Sequence, residues 1–371
     1  MRIGDCGLRI EGATVDSAIR NPQSAILRVH YRTADFDYAL PAELIAQEPL
    51  PDRTASRLLV LDRAGSGVRH ARFPDFEDLV APEDVLVLNV SRVIPGRLHG
   101  KREMGKIAEL LLVRELPDGS WIAMGHPGGK LKPGRRVTFG DDSGAEIVEL
   151  LGGGLRRVKF VGQLDAAATL AKYGTVPLPP YIRRLPRPED RERYQTVYAE
   201  HDGSVAAPTA GLHFTPELLE RIKRRGTAVA TLDLKIGPGT FKPVDVDDLA
   251  DHPMHAEAYR VSDDTAELVN ARRKAGGRVW AVGTTVVRTL ETVAAPDGTI
   301  RPGAGDTSLF VYPPYTFRVV DRLLTNFHLP RSTLLMLVCA FGGYERVMRA
   351  YGEAIEQRYR FYSYGDAMAV L

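Results

Sequence analysis

The sequence predicts an α/β protein, a large domain of alternating strands and helices into which a smaller antiparallel β-barrel is inserted. Three observations predict it. Both outer parts of the chain alternate short apolar runs with capped helical segments. From about 84 to 162 the runs VLVLNV, ELLLV, WIAMG, RVTFG, EIVELL and RVKFVG follow one another between Gly, Pro and Asp turns, without a helical period. Strands so closely spaced argue for a small antiparallel barrel. Finally, 371 residues are enough for two or three domains. The expected division is residues 34–83 with 163–371 as the α/β domain and 84–162 as the barrel. Residues 1–33 show no sustained period and are read as an N-terminal extension, disordered at its start.

Organised sequence opens at FDYALPAELIAQEPL, where Pro41 starts a short helical stretch and Pro49 closes it. LLVLD is a buried strand. Lys101, Arg102, Lys106, Lys130, Lys132, Arg135 and Arg136 decorate the barrel, as a solvated surface or as a nucleic-acid face. After the helix in LDAAATLAKYG comes TVPLPPYIRRLPRPEDRERYQTVYAEHDG, whose prolines forbid continuous helix or central strand as far as Pro188. This arm carries Arg183, Arg184, Arg187, Arg191 and Arg193 with Tyr181, Tyr194 and Tyr198. It suits phosphate and base contacts, and equally a linker packed across two domains.

GSVAAPTAGLHFT follows, holding Ser204, Thr209 and His213 in a loop of small residues. Thr215 is a good N-cap, Pro216 fits the first helical position, and the helix through ELLERIKRR stops at Gly226. A loop of this kind lets a ligand approach the backbone closely, or is an ordinary entry to an amphipathic helix. TAVATLDLKI is a strand and GPGT its exit; a helix runs from Asp263 to Lys274 before Gly276 and Gly277. RVWAV, GTT and VVRTLETVAA read as strand, tight turn and helix, the geometry in which ligands gather at strand carboxyl ends. VVDRLLT runs into NFHLP, Ser332 caps the apolar helix TLLMLVCAF, and GYERVMRAYGEAIEQRY is a last helix. The tail RFYSYGDAM is too aromatic for a disordered terminus and is expected to pack on the body.

Composition narrows the function. With 49 Lys and Arg against 47 Asp and Glu, the net charge of +2 confines any RNA surface to a local patch. The two cysteines, Cys6 and Cys339, give no disulfide framework or cysteine metal site. The first residues are too polar for a secretory signal, and no apolar run approaches the roughly 18 residues of a membrane span. The expected compartment is the cytoplasm.

Chemistry-bearing residues form small groups. His252, His255 and Glu257 in HPMHAE lack a third histidine or an HExxH helix, so hydrogen bonding or proton transfer is favoured over metal. Gly283, Thr284 and Thr285 offer hydroxyls and a helix N-terminus to a carboxylate or phosphate, or only a cap. Arg288 lies on the same helix face, to hold an anion or to pair with Glu291 three residues on. Asn326 and His328 directly follow a buried strand.

Together VAAPTAGLHFT, DHPMHAE, AVGTTVVRTLE, TNFHLPRSTLLMLVCAF and YRFYSYGDAM, in that order and with PLPPYI and YQTVYA upstream, resemble the S-adenosylmethionine:tRNA ribosyltransferase-isomerase family of the queuosine pathway. The likeness spans residues 36–368. It implies an α/β domain with an inserted β-barrel and S-adenosylmethionine consumed as co-substrate, with no metal. It further implies a monomer with no membrane association that acts on the anticodon arm of tRNA. The implied reaction transfers and isomerises the ribosyl group onto 7-aminomethyl-7-deazaguanine in tRNA, giving epoxyqueuosine, adenine and methionine. Such chemistry needs a base for the C5′ hydrogen that the sulfonium acidifies, an acid for departing adenine, and donors for the methionine carboxylate. His213 and His328 are then the proton-transfer candidates, with His255 and Glu257 behind them. Thr284, Thr285 and Arg288 are candidates for the carboxylate or a ribose hydroxyl, Phe361 or Tyr364 for stacking on adenine, and Thr209, Asn326 and Asp366 for further contacts to S-adenosylmethionine. Arg183, Arg184, Arg187, Lys130 and Lys132 are the RNA-binding candidates.

The chain departs from the family pattern in places. NNTRVIP, GKIE, an Arg- and Ser-bearing loop before KPG, LHVG and YPG are replaced by NVSRVIP with Val90, GKIAE with Ala108, HPGGKLKPG with Pro127, LKIG with Lys235 and YPP with Pro314. Those departures leave open the same donor chemistry on a different RNA or a small amine, or an RNA-binding protein without catalysis.

Overall fold

The computed structural model describes residues 30–65, 67–241 and 243–371, of which Arg32–Leu371 form one compact unit. The expected N-terminal extension therefore lies almost wholly outside the described residues. At its end, Arg32 and Thr33 already belong to the body: Arg32 bridges to Asp248, and the Thr33 hydroxyl donates to the Val246 carbonyl at 2.5 Å.

In chain order the first strands are β1 (Arg57–Leu61), β2 (Val68–Arg72), β3 (Val85–Asn89) and β4 (Ser91–Val93). Then come β5 (Arg97–Lys101), β6 (Ile107–Glu115), β7 (Trp121–His126), β8 (Arg136–Gly140), β9 (Ser143–Gly152) and β10 (Leu155–Val161). Helix α1 (Ala166–Tyr173), β11 (Gly174–Thr175), the short α2 (Asp190–Arg193), β12 (His201–Ser204), α3 (Pro216–Arg224) and β13 (Ala228–Leu234) follow. The chain finishes with β14 (Glu257–Val261), α4 (Asp263–Lys274), β15 (Val279–Val282), α5 (Thr284–Val293), β16 (Gly303–Thr307), β17 (Arg322–Asn326), α6 (Thr333–Gly342), α7 (Tyr344–Glu356) and β18 (Ala367–Val370).

Nine strands form one mixed sheet in the order β16-β14-β13-β3-β15-β17-β18-β1-β2. Its centre, β13-β3-β15-β17, is parallel. Central parallel strands are covered on both faces, which is why β15, and β3 as far as Asn89, are apolar runs buried along their whole length. This corrects the boundary expected at residue 84: VLVLNV does not open the barrel but supplies the middle of the large sheet. Periodicity alone cannot say which sheet such a short run joins.

Seven strands form the second sheet, β11-β5-β6-β7-β10-β9-β8, with antiparallel pairing throughout, and β5 also pairs with β8 through Lys101 and Thr138. That pairing closes β5 to β10 into a ring. Alternate residues of its strands, among them Leu110, Leu112, Ala123, Val137, Ile147 and Val158, fill the interior.

Around the large sheet each helix is buried as its sequence requires. Helix α6 is apolar on all sides and sits in the core, whereas α3 buries only Leu218, Leu219 and Ile222, against Phe73, Phe76 and Phe214. Thr215 caps α3 and Ser332 caps α6 through side-chain oxygens, as expected. The aromatic tail packs: β18 lies between β17 and β1. Among the described residues no helix is long and apolar enough to cross a membrane.

Candidate active site

The carboxyl ends of β13, β15 and β17 meet at one edge of the large sheet, where open α/β sheets place their ligands. Because β18 runs antiparallel to β17, with Asn326 opposite Ala367, the chain just before β18 returns to the same edge. A cleft enclosing about 630 Å³, part of it open to solvent, lies there. The cleft brings together Thr209, Thr284, Thr285, Asn326 and His328, five of the candidates, and is also lined by Tyr181, Tyr362 and Ser363.

Gly283 ends β15 with φ 92°, a value that a side chain resists, and this turn starts α5 so that Thr284 and Thr285 face the cleft from the helix N-terminus. Asn89, fully buried at the end of β3, donates to the Leu234 carbonyl at 3.1 Å and to the Thr285 hydroxyl at 3.3 Å, tying β13 to α5. Ser204 also braces the site from outside the cleft. Its hydroxyl donates to the Ala206 carbonyl at 2.8 Å and accepts from the Ile236 N–H at 2.9 Å, shaping the loop instead of facing a ligand.

Asn326 occupies the centre. Its amide nitrogen donates to the Tyr362 carbonyl at 3.3 Å and to His213 Nε2 at 3.1 Å. A backbone carbonyl can only accept, so the amide orientation is fixed and His213 Nε2 must be the acceptor. His213 Nδ1 therefore carries the proton and donates to Ser56 Oγ at 2.8 Å. The Oδ1 of Asn326, on a residue 2% exposed, has no hydrogen-bond partner among the described residues.

His213 thus stands behind Asn326 and does not line this cleft, but lines a smaller one with Arg53 and Ser56. Both ring nitrogens are engaged and the ring packs 4.9 Å from Phe73. Burial first, then Arg360 and Arg53, push its pKa down to about 3. His328 does line the cleft. Its Nε2 is 2.7 Å from Thr325 Oγ1, its backbone N–H donates to the Tyr351 hydroxyl at 3.0 Å, and burial lowers its pKa to about 3. Both imidazoles are neutral near pH 7. No described residue lining the cleft carries a formal charge.

Four more candidates are committed elsewhere. Arg288 and Glu257 are bonded to one another, 4% and 5% exposed. The guanidinium also donates to Leu309 O at 2.9 Å and Thr307 O at 3.3 Å, and Glu257 accepts from the Gly237 N–H at 2.7 Å. Neither is free for the methionine carboxylate or for proton transfer, because a buried ion must be matched and the fold has matched it internally. Glu257→Gln, which keeps the acceptor for Gly237 but removes the charge facing Arg288, is expected to lower unfolding stability by about 2 kcal/mol in a denaturant titration. Phe361 is fully buried among Tyr38, Phe327 and Tyr351 and cannot stack on a ligand. Asp366 accepts from the N–H groups of Arg57 at 2.9 Å and Arg360 at 2.8 Å, so it fastens the tail, and burial raises its pKa.

Tyr364 faces a second, smaller cleft with Arg53, Ser56 and His213, and donates to Asp190 at 3.0 Å. The tail aromatic that does line the main cleft is Tyr362, its ring 4.7 Å from that of Tyr181. His255 lies in a separate cleft with His252, Asp245 and Thr333. Among the described residues no group of three His, Cys, Asp or Glu is arranged to hold a metal ion. Of the RNA candidates, Arg184 is spent on buried Asp190 at 2.6 Å, Arg187 pairs with Glu48 at 2.9 Å, and Arg183, Lys130 and Lys132 are exposed. At the departures, Val90 and Ala108 are buried, and Lys235 donates to Asp233 at 2.8 Å and to the His201 carbonyl at 2.7 Å.

Comparison with known proteins agrees across nearly all of the described chain. The profile of a family described as queuosine biosynthesis protein matches residues 33–370. The S-adenosylmethionine:tRNA ribosyltransferase-isomerase of Symbiobacterium thermophilum is 52% identical over 344 residues, covering 92% of this chain and all of that protein. The enzyme of the same name from Natranaerobius thermophilus is 51% identical over 339 residues, covering 91% of this chain and 98% of that protein. Among solved structures, the S-adenosylmethionine tRNA ribosyltransferase of Thermotoga maritima is 40% identical with a TM-score of 0.53, covering 91% of this chain and all of that one.

Proposed function

The chain belongs to the queuosine biosynthesis protein family, and on that premise we propose that it transfers and isomerises the ribosyl group of S-adenosylmethionine onto 7-aminomethyl-7-deazaguanine in tRNA, giving epoxyqueuosine and releasing adenine and methionine. The observation that carries the reading is one uncharged cleft, at the carboxyl ends of the parallel strands, whose polar groups match the parts of that substrate. The reading of the closed antiparallel ring as a separate barrel domain belongs to the same proposal, as does action in the cytoplasm. The other-acceptor reading draws no support from relatives whose names specify tRNA.

The fit to S-adenosylmethionine rests on three features. Asn326 Oδ1 is a buried acceptor lacking a donor, which an adenine amino group or a ribose hydroxyl supplies. Thr284, Thr285 and the first N–H groups of α5 suit the methionine carboxylate, since a helix N-terminus favours negative charge. The rings of Tyr181 and Tyr362 offer electron-rich faces to the sulfonium. When bound, that sulfonium supplies an acidified C5′ hydrogen. A carboxylate beside it would offset the charge that makes the hydrogen acidic, and none lines the cleft among the described residues.

His328 is the imidazole that faces the ligand and is the proposed group for proton transfer there. His213 is a positioning residue that acts through Asn326. The test is adenine release from S-adenosylmethionine, followed by chromatography. Release that requires tRNA carrying the aminomethyl-deazaguanine is the expected result. Release of equal rate with a small amine, or none with any acceptor, overturns it.

A further inference from the structure

Where the β5–β6 hairpin turns, the antiparallel ring carries a cleft lined by Arg102, Lys130, Lys132, Arg135 and Arg136 against the single carboxylate of Glu103, which pairs with Arg135. Five cations less one anion leave four uncompensated charges here, twice the net +2 of the whole chain. Beside the segment that carries Gly129 and Lys130 lies a fifth. Arg156 is 3% exposed, donates to the Gly128 carbonyl at 3.3 Å, and keeps Nε and Nη1 without partners among the described residues. A buried guanidinium with no carboxylate beside it is costly and adds positive potential to the surface above. Burial lowers its pKa accordingly.

Two apolar side chains flank this cleft on the hairpin, Met104 at 89% and Ile107 at 75% exposed. Met104 holds φ 60°, a left-handed value uncommon for a residue with a side chain, at the tip between Arg102 and Lys106. Cations lining a concave cleft, with an apolar tip beside them, match the alternation of phosphates with base and ribose faces along a nucleic-acid strand. A membrane surface fits less well, since two apolar residues on one narrow tip are too few to anchor a protein in lipid.

We propose that this cleft binds the sugar–phosphate backbone of the RNA substrate, with Lys130 and Lys132 at phosphates and Met104 against a base or ribose face. It rests on the reading above that the acceptor is RNA, and its contacts carry no sequence information. The experiment is a fluorescence titration of a labelled anticodon stem-loop without the deazaguanine, at several salt concentrations, with the wild-type chain, with Lys130→Ala/Lys132→Ala and with Met104→Ser. Both lysines are exposed, so the double variant is expected to keep its melting temperature.

In the double variant the expected result is an affinity about tenfold weaker near 0.15 M salt, and a slope of log K on log salt shallower by about 1.5, from roughly 0.7–0.9 per phosphate contact. For Met104→Ser a loss of about threefold with the slope unchanged is expected, because an apolar contact releases no counterions. An unchanged affinity and slope in the double variant overturn the proposal. So does wild-type binding to anionic vesicles that the double variant loses while its RNA binding stays intact. Because the probe cannot react, binding tests this surface alone, and adenine release with modified tRNA remains the separate test of the catalytic reading.

Discussion

Asn326→Ala is expected to lower kcat/KM for adenine release by about a thousandfold, the loss that follows removal of one preorganised polar group from an active site. The side chain does two things at once. Its Oδ1 is buried without a partner among the described residues, on a residue that lines the cleft, and its nitrogen satisfies the Tyr362 carbonyl and His213 Nε2. Alanine removes the first and strands the second, so stability should also fall by about 1–3 kcal/mol through the unpaired, buried imidazole acceptor. Asn326→Asp is no rescue: a carboxylate cannot donate to the carbonyl of Tyr362.

His213 separates positioning from direct chemistry. If the imidazole works through Asn326, His213→Ala lowers kcat by about tenfold to a hundredfold, with the affinity for S-adenosylmethionine nearly unchanged, and the double variant is no worse than Asn326→Ala alone. A double variant whose losses multiply would return His213 to the reacting atoms. Stopped-flow adenine release with calorimetry on S-adenosylmethionine measures both quantities.

Much of this arrangement is legible in the chain. Helix α4 runs from Asp263 to Lys274 as its caps predict, and the threonine turn and the polar residues at the end of β17 both reach the cleft. What escapes the sequence is direction and distance. In the tail, Phe361 bridges to Ile45 and turns into the core, while Tyr362, at φ 72°, turns toward the cleft. Adjacent aromatics differ in role because of one backbone angle that no composition encodes. Arg288 poses the complementary difficulty. The neighbour at helical spacing, Glu291, accepts instead from the N–H groups of Arg318, Val319 and Val320 at 2.9, 3.0 and 3.1 Å. The partner Arg288 does find, Glu257, lies on the first residue of β14, brought there by sheet order and not by spacing. Asn89 was hidden for the same reason, since its value lies in joining β13 to α5, two elements that are remote in sequence.

Lowering the pH from 7 to 5 is expected to cost the fold up to about 4 kcal/mol through two side chains alone. His213 and His328 are buried neutral, their pKa values pushed from 6.5 to about 3. Between those values the unfolded chain binds one more proton per imidazole than the folded chain. Stability is therefore full above the unfolded pKa and falls as pH falls, by about 1.4 kcal/mol per pH unit for each histidine. Asp366 acts in the opposite sense: with its pKa raised by burial, the folded state takes up its proton first and offsets part of the loss at the acid end. Guanidinium titrations at pH 7, 6 and 5 read the slope, and His213→Gln/His328→Gln should flatten it even though both changes lower stability at pH 7. The same neutrality bears on turnover. Neither imidazole changes charge between pH 5 and 8, so kcat/KM should lack an acid limb with a midpoint near 6.5 arising from them. A limb there that disappears in His328→Gln would mean that the ring is solvated and titrating in the working enzyme, and a neutral, buried imidazole would no longer account for proton transfer.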